Sequence, residues 1–404
     1  MKIGIFISGL GQSFVNETVE KYTERLKNEI SCNTQGIDYE IQKEKINYTV
    51  THESLVVSIY EKTPDRKLIY KIYDFNYQEI LTEKFTGSSL IVKNLWLFLL
   101  AVRKFPLLIK RLFIPENYNR PLQTLYLFLI FIIIATTVLL MLPSTIDLIV
   151  NFLAEEKVLN IVTGFRQKFG ITNIPYVSKE GIEKVSKVIL SLTALLLLVM
   201  PNANILIANL ATEFICANDY MEYGVQRQLI QGNLELLVDY IAENEKDCKI
   251  HFHSYSFGSI LAIDYIYPFG NIVSKNAERF CEAIITIGTP FEFVNSYYPE
   301  FYLNRKNELG DTIQWLNVYS IADALGTNFR NDALIGEAEF GIAKASTNKP
   351  VNINYEVSIL NEGSITNFFM LYNIKVHGMY WDNKTEGLSC LRLIYDEMNK
   401  RNLI

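Results

Sequence analysis

Strands and helices alternate along most of this 404-residue chain. That order predicts an α/β fold: a mostly parallel sheet flanked by helices, with an inserted two-helix transmembrane hairpin. Three observations carry the prediction. Short runs rich in β-branched and aromatic residues recur between helical stretches. A strand-like run turns sharply into an apolar helix at 249–267. Two long uncharged stretches interrupt the alternation.

The first strand is expected at 2–8, within MKIGIFISGLGQ. The run is too short for the apolar region of an export signal and reaches Gly9 and Gly11, so it reads as a buried strand. A charged helix near 13–30 follows, then strand-like stretches between 37 and 75 such as SLVVSIYEK and KLIYKIYDF. A helix over Glu213–Asn244 precedes the strand, turn and helix at 249–267. Further strands are expected at 282–288 (EAIITIG), at 314–320 (QWLNVYS) and in FFMLYNIKV, with a last helix near the C-terminus. Three segments result: residues 1–85 and 213–404 as the two parts of one domain, and a membrane-associated insert over 86–212.

Pro121 to Ile146 contains no charged side chain. It is long enough to cross a hydrocarbon core of ~30 Å as a helix. Val188 to Thr212 is also uncharged but is broken by Pro201, Asn202, Asn204 and Asn209. Spans are expected at about 122–145 and 188–210, returning the chain to the side it left. Ahead of them, NLWLFLLAVRKFPLLIKRLFI (94–114) mixes apolar bulk with Arg103, Lys104, Lys110 and Arg111. Such a segment suits a headgroup layer and places the rest of the protein on the cytoplasmic side of an integral membrane protein.

Charged residues make up 20% of the chain and hydrophobic residues 49%, which argues against disorder. A net charge of −6 without a basic stripe argues against nucleic-acid binding. Cys32, Cys216, Cys248, Cys281 and Cys390 form no C-x-x-C pair and read as buried thiols in a reducing compartment.

The stretch HFHSYSFGSI (251–260) is the most informative. A strand-to-helix turn that raises a nucleophilic serine must be tight, so its neighbours two before and two after are small. With Ser256 as nucleophile those neighbours are Ser254 and Gly258. The alternative register, with Ser254 as nucleophile, would place Phe252 and Ser256 there. A serine needs a base, usually a histidine oriented by a carboxylate. Of His52, His251, His253 and His377, only His377 lies downstream. His251 and His253 alternate along the strand and read as hydrogen-bonded core residues; no third metal ligand is evident. Asp323 follows the strand at 314–320 and is the expected carboxylate, with Asp332 the alternative and Asp311 at the wrong strand end. Two backbone N–H groups should meet an oxyanion, those of Phe257 and of Leu10 in the glycine loop Ser8-Gly9-Leu10-Gly11.

These pieces together resemble the α/β-hydrolase superfamily, in particular its lipase- and esterase-like serine hydrolases. The carriers are S-G-L-G at 8–11, H-S-Y-S-F-G-S at 253–259, I-G-T-P at 287–290, Asp323 and His377. The resemblance covers about residues 1–80 and 213–404, and it departs from the family at Ser8 and Ser254. It implies hydrolysis of a carboxylic ester, thioester or amide through an acyl-enzyme, with no metal or organic cofactor. With the hairpin, it leads to the expectation of a lipid or acylated substrate taken from the membrane. Aromatic surface for an acyl chain is expected from FEFVNSYYPEFY (291–302). The competing readings are an inactive hydrolase-fold membrane scaffold and an acyltransferase with the same triad.

Overall fold

The computed structural model describes residues 1–10, 17–34, 36–86, 88, 90–113, 215–222, 224–342, 348–356 and 376–404. The chain divides into two compact units. One comprises Met1–Glu83, Pro106–Tyr126 and Cys216–Ile404, and it holds the sheet; the other comprises Lys84–Phe105 and Leu127–Ile215. Both expected membrane spans, at 122–145 and 188–210, lie outside the described residues. Among the described residues, no helix is long and apolar enough to cross a membrane.

The elements in chain order are β1 (Lys2–Ile7), α1 (Val19–Asn33), β2 (Tyr39–Asn47), β3 (Glu53–Glu61), β4 (Leu68–Asp74), α2 (Gln78–Thr86) and α3 (Leu90–Phe113). Then come α4 (Val225–Asn244), β5 (Lys249–Tyr255), α5 (Phe257–Ile266), α6 (Lys275–Phe280), β6 (Cys281–Ile287) and α7 (Phe291–Tyr297). Last are α8 (Glu308–Thr312), β7 (Gln314–Tyr319), β8 (Val351–Asn354) and α9 (Leu391–Lys400). Among the described residues, eight strands form one sheet in the order β2-β3-β4-β1-β5-β6-β7-β8. From β4 through β8 every pairing is parallel; only β2–β3 and β3–β4 are antiparallel. The predicted α/β architecture, a mostly parallel sheet flanked by helices, is the one observed.

Most expected elements occur with shifted ends. The first helix starts at Val19, where the Thr18 hydroxyl accepts from the Lys21 amide. The helix expected over Glu213–Asn244 is broken: residues 215–222 and α4 are separate pieces, with Gly224 in a left-handed conformation between them. FFMLYNIKV lies outside the described residues except for Val376, which opens a helical turn. The described sheet ends instead on β8, a short strand (VNIN) with too few apolar residues to stand out in the sequence. Cys32 is exposed, contrary to the expectation of uniformly buried thiols; the other four are buried, and none of the five is in a disulfide.

Strand alternation sends neighbouring side chains of β5 to opposite layers. Phe252 packs on Tyr265 of α5, its ring centroid 5.4 Å away. His253 faces the other way and hydrogen-bonds Tyr22 of α1. Leu26 and Ile30 of α1 join Ile394 and Met398 of α9 in the core on the α1 side. Burying each such side chain contributes roughly 1.5–3 kcal/mol.

A buried polar chain crosses this layer. Tyr22 Oη lies 2.8 Å from His253 Nδ1, Tyr70 Oη 2.9 Å from His253 Nε2 and 2.8 Å from His251 Nδ1, and His251 Nε2 2.8 Å from Glu282. Since Glu282 accepts from His251 Nε2–H, a neutral ring must accept at Nδ1, so Tyr70 donates there. His253 then donates Nε2–H to Tyr70 and accepts from Tyr22. Every group is satisfied when both rings are neutral. Burial pushes both histidines below their usual range, His253 by a large margin. The hydrogen bond from His251 holds Glu282 down at about 2, against some burial and with help from Lys2.

These shifts set the acid response. Groups whose folded-state pKa is depressed leave the unfolded chain binding more protons as pH falls. The histidine contribution is therefore complete above about pH 6.5 and is lost as pH drops towards the folded-state values. Urea unfolding at pH 7.5 and 5.5 should show a clear loss of stability at the lower pH. A His251→Gln/His253→Gln variant, less stable at pH 7.5, should show a smaller loss between the two.

Candidate active site

In the parallel part of the sheet the carboxyl ends of β1, β4, β5, β6, β7 and β8 share one edge. Loops at that edge of such a sheet commonly build ligand sites. Here β5 ends at Tyr255 and α5 begins at Phe257, so Ser256 alone makes the turn. Its φ of 51° and ψ of −121° are sparsely populated for a residue with a side chain. Such strain costs on the order of 1–3 kcal/mol and persists only when neighbours enforce it. They do so here: the Ser256 amide donates to the Ile287 carbonyl at 2.9 Å, and the Ser256 carbonyl accepts from Ser259 at 3.0 Å.

Gly258 shows why small residues are required. A Cβ there would lie 2.3 Å from the Ile7 carbonyl oxygen and 2.5 Å from that of Ser8. The first turn of α5 thus presses directly on the end of β1. Ser254, at the position that departs from the resemblance, is fully buried and donates its hydroxyl to the Ile285 carbonyl at 2.8 Å. It serves β5, which leaves the Ser256 register as the one that faces the site.

Ser256 Oγ is 2.7 Å from His377 Nε2. His377 Nδ1 is 2.9 and 3.1 Å from the two carboxylate oxygens of Asp323. Three residues distant in sequence therefore form one continuous hydrogen-bonded line. Asp323 is buried, which by itself raises its pKa. The His377 ring, the Tyr380 hydroxyl and the Leu325 amide more than offset this and leave it below the usual carboxylate range. Asp332 is instead paired with Arg330 on an exposed loop, and Asp311 lies in α8, ahead of β7.

Gly288, after β6, closes the site from the side. Its φ is +55°, and a Cβ would meet the Tyr380 ring at 2.7 Å and the His377 ring at 3.2 Å. Tyr255 stacks on His377 with ring centroids 5.5 Å apart and donates to the His377 carbonyl. The loop after β1 is pinned by two side chains: Tyr77 donates to the Ser8 carbonyl at 3.1 Å and Gln78 to that of Gly9 at 3.2 Å. This places the segment running to half-buried Leu10 beside the α5 turn, whose first amides have no acceptor within the helix. Residues 11–16, including Gly11, lie outside the described residues. Phe257 buries its ring against Tyr77 and Tyr220.

No family model, curated protein or solved structure matches the chain.

Of the aromatics in FEFVNSYYPEFY, Phe291, Tyr297, Phe301 and Tyr302 are buried, while Phe293 and Tyr298 are half-buried. Phe291 stacks on Tyr302 at 4.6 Å and packs on Phe329 at 4.9 Å, so these rings build the domain core. Conversely, Tyr255, Tyr380, Tyr77 and Gln78 support the site but carry no local motif. A tyrosine three residues after the histidine was the one available hint.

Gly258→Ala puts a methyl group into backbone atoms that cannot rotate away. A loss of roughly 3 kcal/mol or more is expected. Urea titration of the variant beside wild type measures it, and a change within 0.5 kcal/mol would mean that α5 is not pressed on β1.

Proposed function

We propose that this chain is a membrane-anchored serine hydrolase of α/β-hydrolase type that cleaves a carboxylic ester or thioester of a lipid or lipidated substrate. The observation that carries the reading is the Ser256–His377–Asp323 hydrogen-bonded line on a strained strand-to-helix turn. A serine hydroxyl is a weak nucleophile until a base takes its proton. His377 Nε2 would take it as Oγ attacks the carbonyl carbon. Asp323 holds the other ring nitrogen, fixes the tautomer and stabilises the imidazolium that forms. The amides of Phe257 and Leu10 would receive the oxyanion. His377 then returns its proton to the leaving alcohol or thiol, leaving an acyl-Ser256. Water, activated by the same histidine, hydrolyses the acyl group and restores the hydroxyl. The residues named need no metal or organic cofactor for these steps.

The membrane half of the proposal rests on the uncharged stretches at 121–146 and 188–212. It rests also on topology, since β4 ends at the same sheet edge as Ser256 and the chain passes from there towards the insert. A membrane on that side would present acyl chains to the serine, with the hydrolase unit on the cytoplasmic face.

A fluorophosphonate probe should label the wild type and not Ser256→Ala. Asp323→Asn and His377→Ala should slow labelling by roughly 10⁴-fold, as expected when a triad loses its tautomer control or its base. Equal labelling of wild type and Ser256→Ala would refute the enzyme and favour a scaffold. With ester and thioester lipids in liposomes, transfer of the acyl group to an added alcohol in preference to water would indicate an acyltransferase. Release of the protein from membranes by alkaline carbonate would refute the hairpin.

A further inference from the structure

His377 does not arrive at the site alone. Residues 376–381 read V-H-G-M-Y-W, and the Met379 amide closes a turn on the Val376 carbonyl at 2.9 Å. This turn carries Tyr380 back over the strand ends. Its ring is fully buried, and its hydroxyl donates to Asp323 Oδ2 at 2.7 Å. The Tyr380 phenol oxygen in turn accepts the Ser320 amide proton at 3.2 Å. With that N–H occupying one side of the phenol oxygen, the phenol proton is directed at the carboxylate. Asp323 Oδ2 thus serves the base and Tyr380 together, while Oδ1 accepts from the Leu325 amide at 2.8 Å.

The surroundings hold Tyr380 in place. Tyr355 stacks on its ring at 6.3 Å, Tyr255 meets it edge-on at 6.3 Å, and the Cys390 amide donates to its carbonyl at 2.8 Å. Gly288 and Gly326 have no side chain where it passes: a Cβ would lie 2.7 Å from its ring and 2.9 Å from its hydroxyl, respectively. Burial and the neighbouring Asp323 charge raise the phenol well above its ordinary range, so it stays protonated and remains a donor.

We propose that Tyr380 is a positioning residue for the reaction: one H-x-x-Y turn supplies both the base, His377, and the donor that aims its carboxylate partner. The inference rests on the serine-hydrolase reading and specifies how that site is held at working geometry. Without the phenol, Asp323 Oδ2 would keep only the histidine as partner, and the carboxylate, held otherwise by the Leu325 amide on Oδ1, could tilt about its last bond or draw the shared proton towards itself. The phenol opposes both. It fixes the carboxylate plane, and it lowers the basicity of Asp323 so that the proton stays on His377 Nδ1.

The test is the pH dependence of fluorophosphonate labelling. Tyr380→Phe keeps the ring and removes only the hydroxyl. Its labelling rate at pH 8 should fall about 10- to 100-fold, the range for losing a hydrogen bond to a charged group. The carboxylate, relieved of one donor, would hold the imidazolium more tightly. The acid limb of the profile should therefore move up by about half a pH unit or more. Replacing Tyr380 with 3-fluorotyrosine, a stronger donor of nearly the same shape, should move the limb down, and this remains measurable if the phenylalanine variant folds poorly. A slower Tyr380→Phe enzyme with an unmoved limb, or a fluorinated enzyme with an unmoved limb, would overturn the proposal by leaving Tyr380 a packing role only. Failure of the wild type to label above Ser256→Ala would instead refute the hydrolase reading itself, so the two failures are separable.

Discussion

The close approach of α5 to β1 is the constraint from which the rest of the site follows. Backbone carbonyls of Ile7 and Ser8 occupy the space in which any side chain at 258 would sit. A helix can begin that close to a central strand only if the turn before it is one residue long, and a one-residue turn forces that residue out of the common backbone regions. Ser256 accepts the strained conformation because its amide and carbonyl are both held. Its hydroxyl is thereby lifted to the carboxyl edge of the sheet. Parallel pairing on both sides of β5 then decides what surrounds it: the loop after β1 on one side, and Gly288 after β6 on the other.

The second half of the site depends on the C-terminal segment from Val376 onward. Aromatic packing and one buried ion pair hold it in place. Tyr255, within the turn sequence itself, stacks on His377, and Trp381 packs on Tyr255 at 4.7 Å. Beyond Trp381, Arg25 of α1 donates to the carbonyls of Asp382 and Lys384 while paired with Glu17. Both partners are about 1% exposed. Such a pair is poor evidence of net stability, because desolvating two charges costs several kcal/mol. Its arrangement is specific, however. Burial raises Glu17 more than Arg25 lowers it, and the guanidinium divides its donors between that carboxylate and the backbone of the loop. The cost of burial is better understood as fixing where the loop lies than as strengthening the fold.

How much could be read from the sequence follows from the range of the forces involved. The strands and the Ser256 turn are local: period-two hydrophobicity and small residues at fixed offsets reflect sterics within a few residues. Asp323 was legible because a fold rule ties carboxylates to strand ends, and His377 because only one downstream histidine exists. What stayed hidden is long-range. Tyr380 matters through Asp323 and Ser320, which lie in the β7 loop. Tyr77 and Gln78 act on carbonyls of Ser8 and Gly9, and a carbonyl has no sequence signature. Four of the aromatics of 291–302 are more enclosed than composition alone conveys, since composition reports apolar area without saying which side is already covered by Phe329 or Tyr302. β8 escaped because its four residues carry too little hydrophobicity to stand out; among the described residues its ladder is supplied by β7.

The four histidines show how environment, rather than residue type, assigns chemistry. His251 and His253 sit on the nucleophile's own strand, yet both ring nitrogens of each are already engaged and both rings are fully buried. Taking up a proton would break a satisfied chain in a place where charge is costly, so neither ring can work as a base. His52 lies in the turn between β2 and β3, bonded to Thr49 and Thr51, far along the chain from any strand end that serves the site. His251 also has a carboxylate on one nitrogen and a hydroxyl on the other, but it is fully buried and its hydroxyl belongs to Tyr70; His377 places Asp323 and Ser256 on its two nitrogens at the sheet edge, with 11% of its side-chain surface exposed. On the proposed serine-hydrolase reading, a proton taken from Ser256 would stay on this ring, with Asp323 stabilising the imidazolium, and would leave again from Nε2. The same side-chain type therefore locks the fold on one face of the sheet and, at its edge, forms the middle of the hydrogen-bonded line between Asp323 and Ser256.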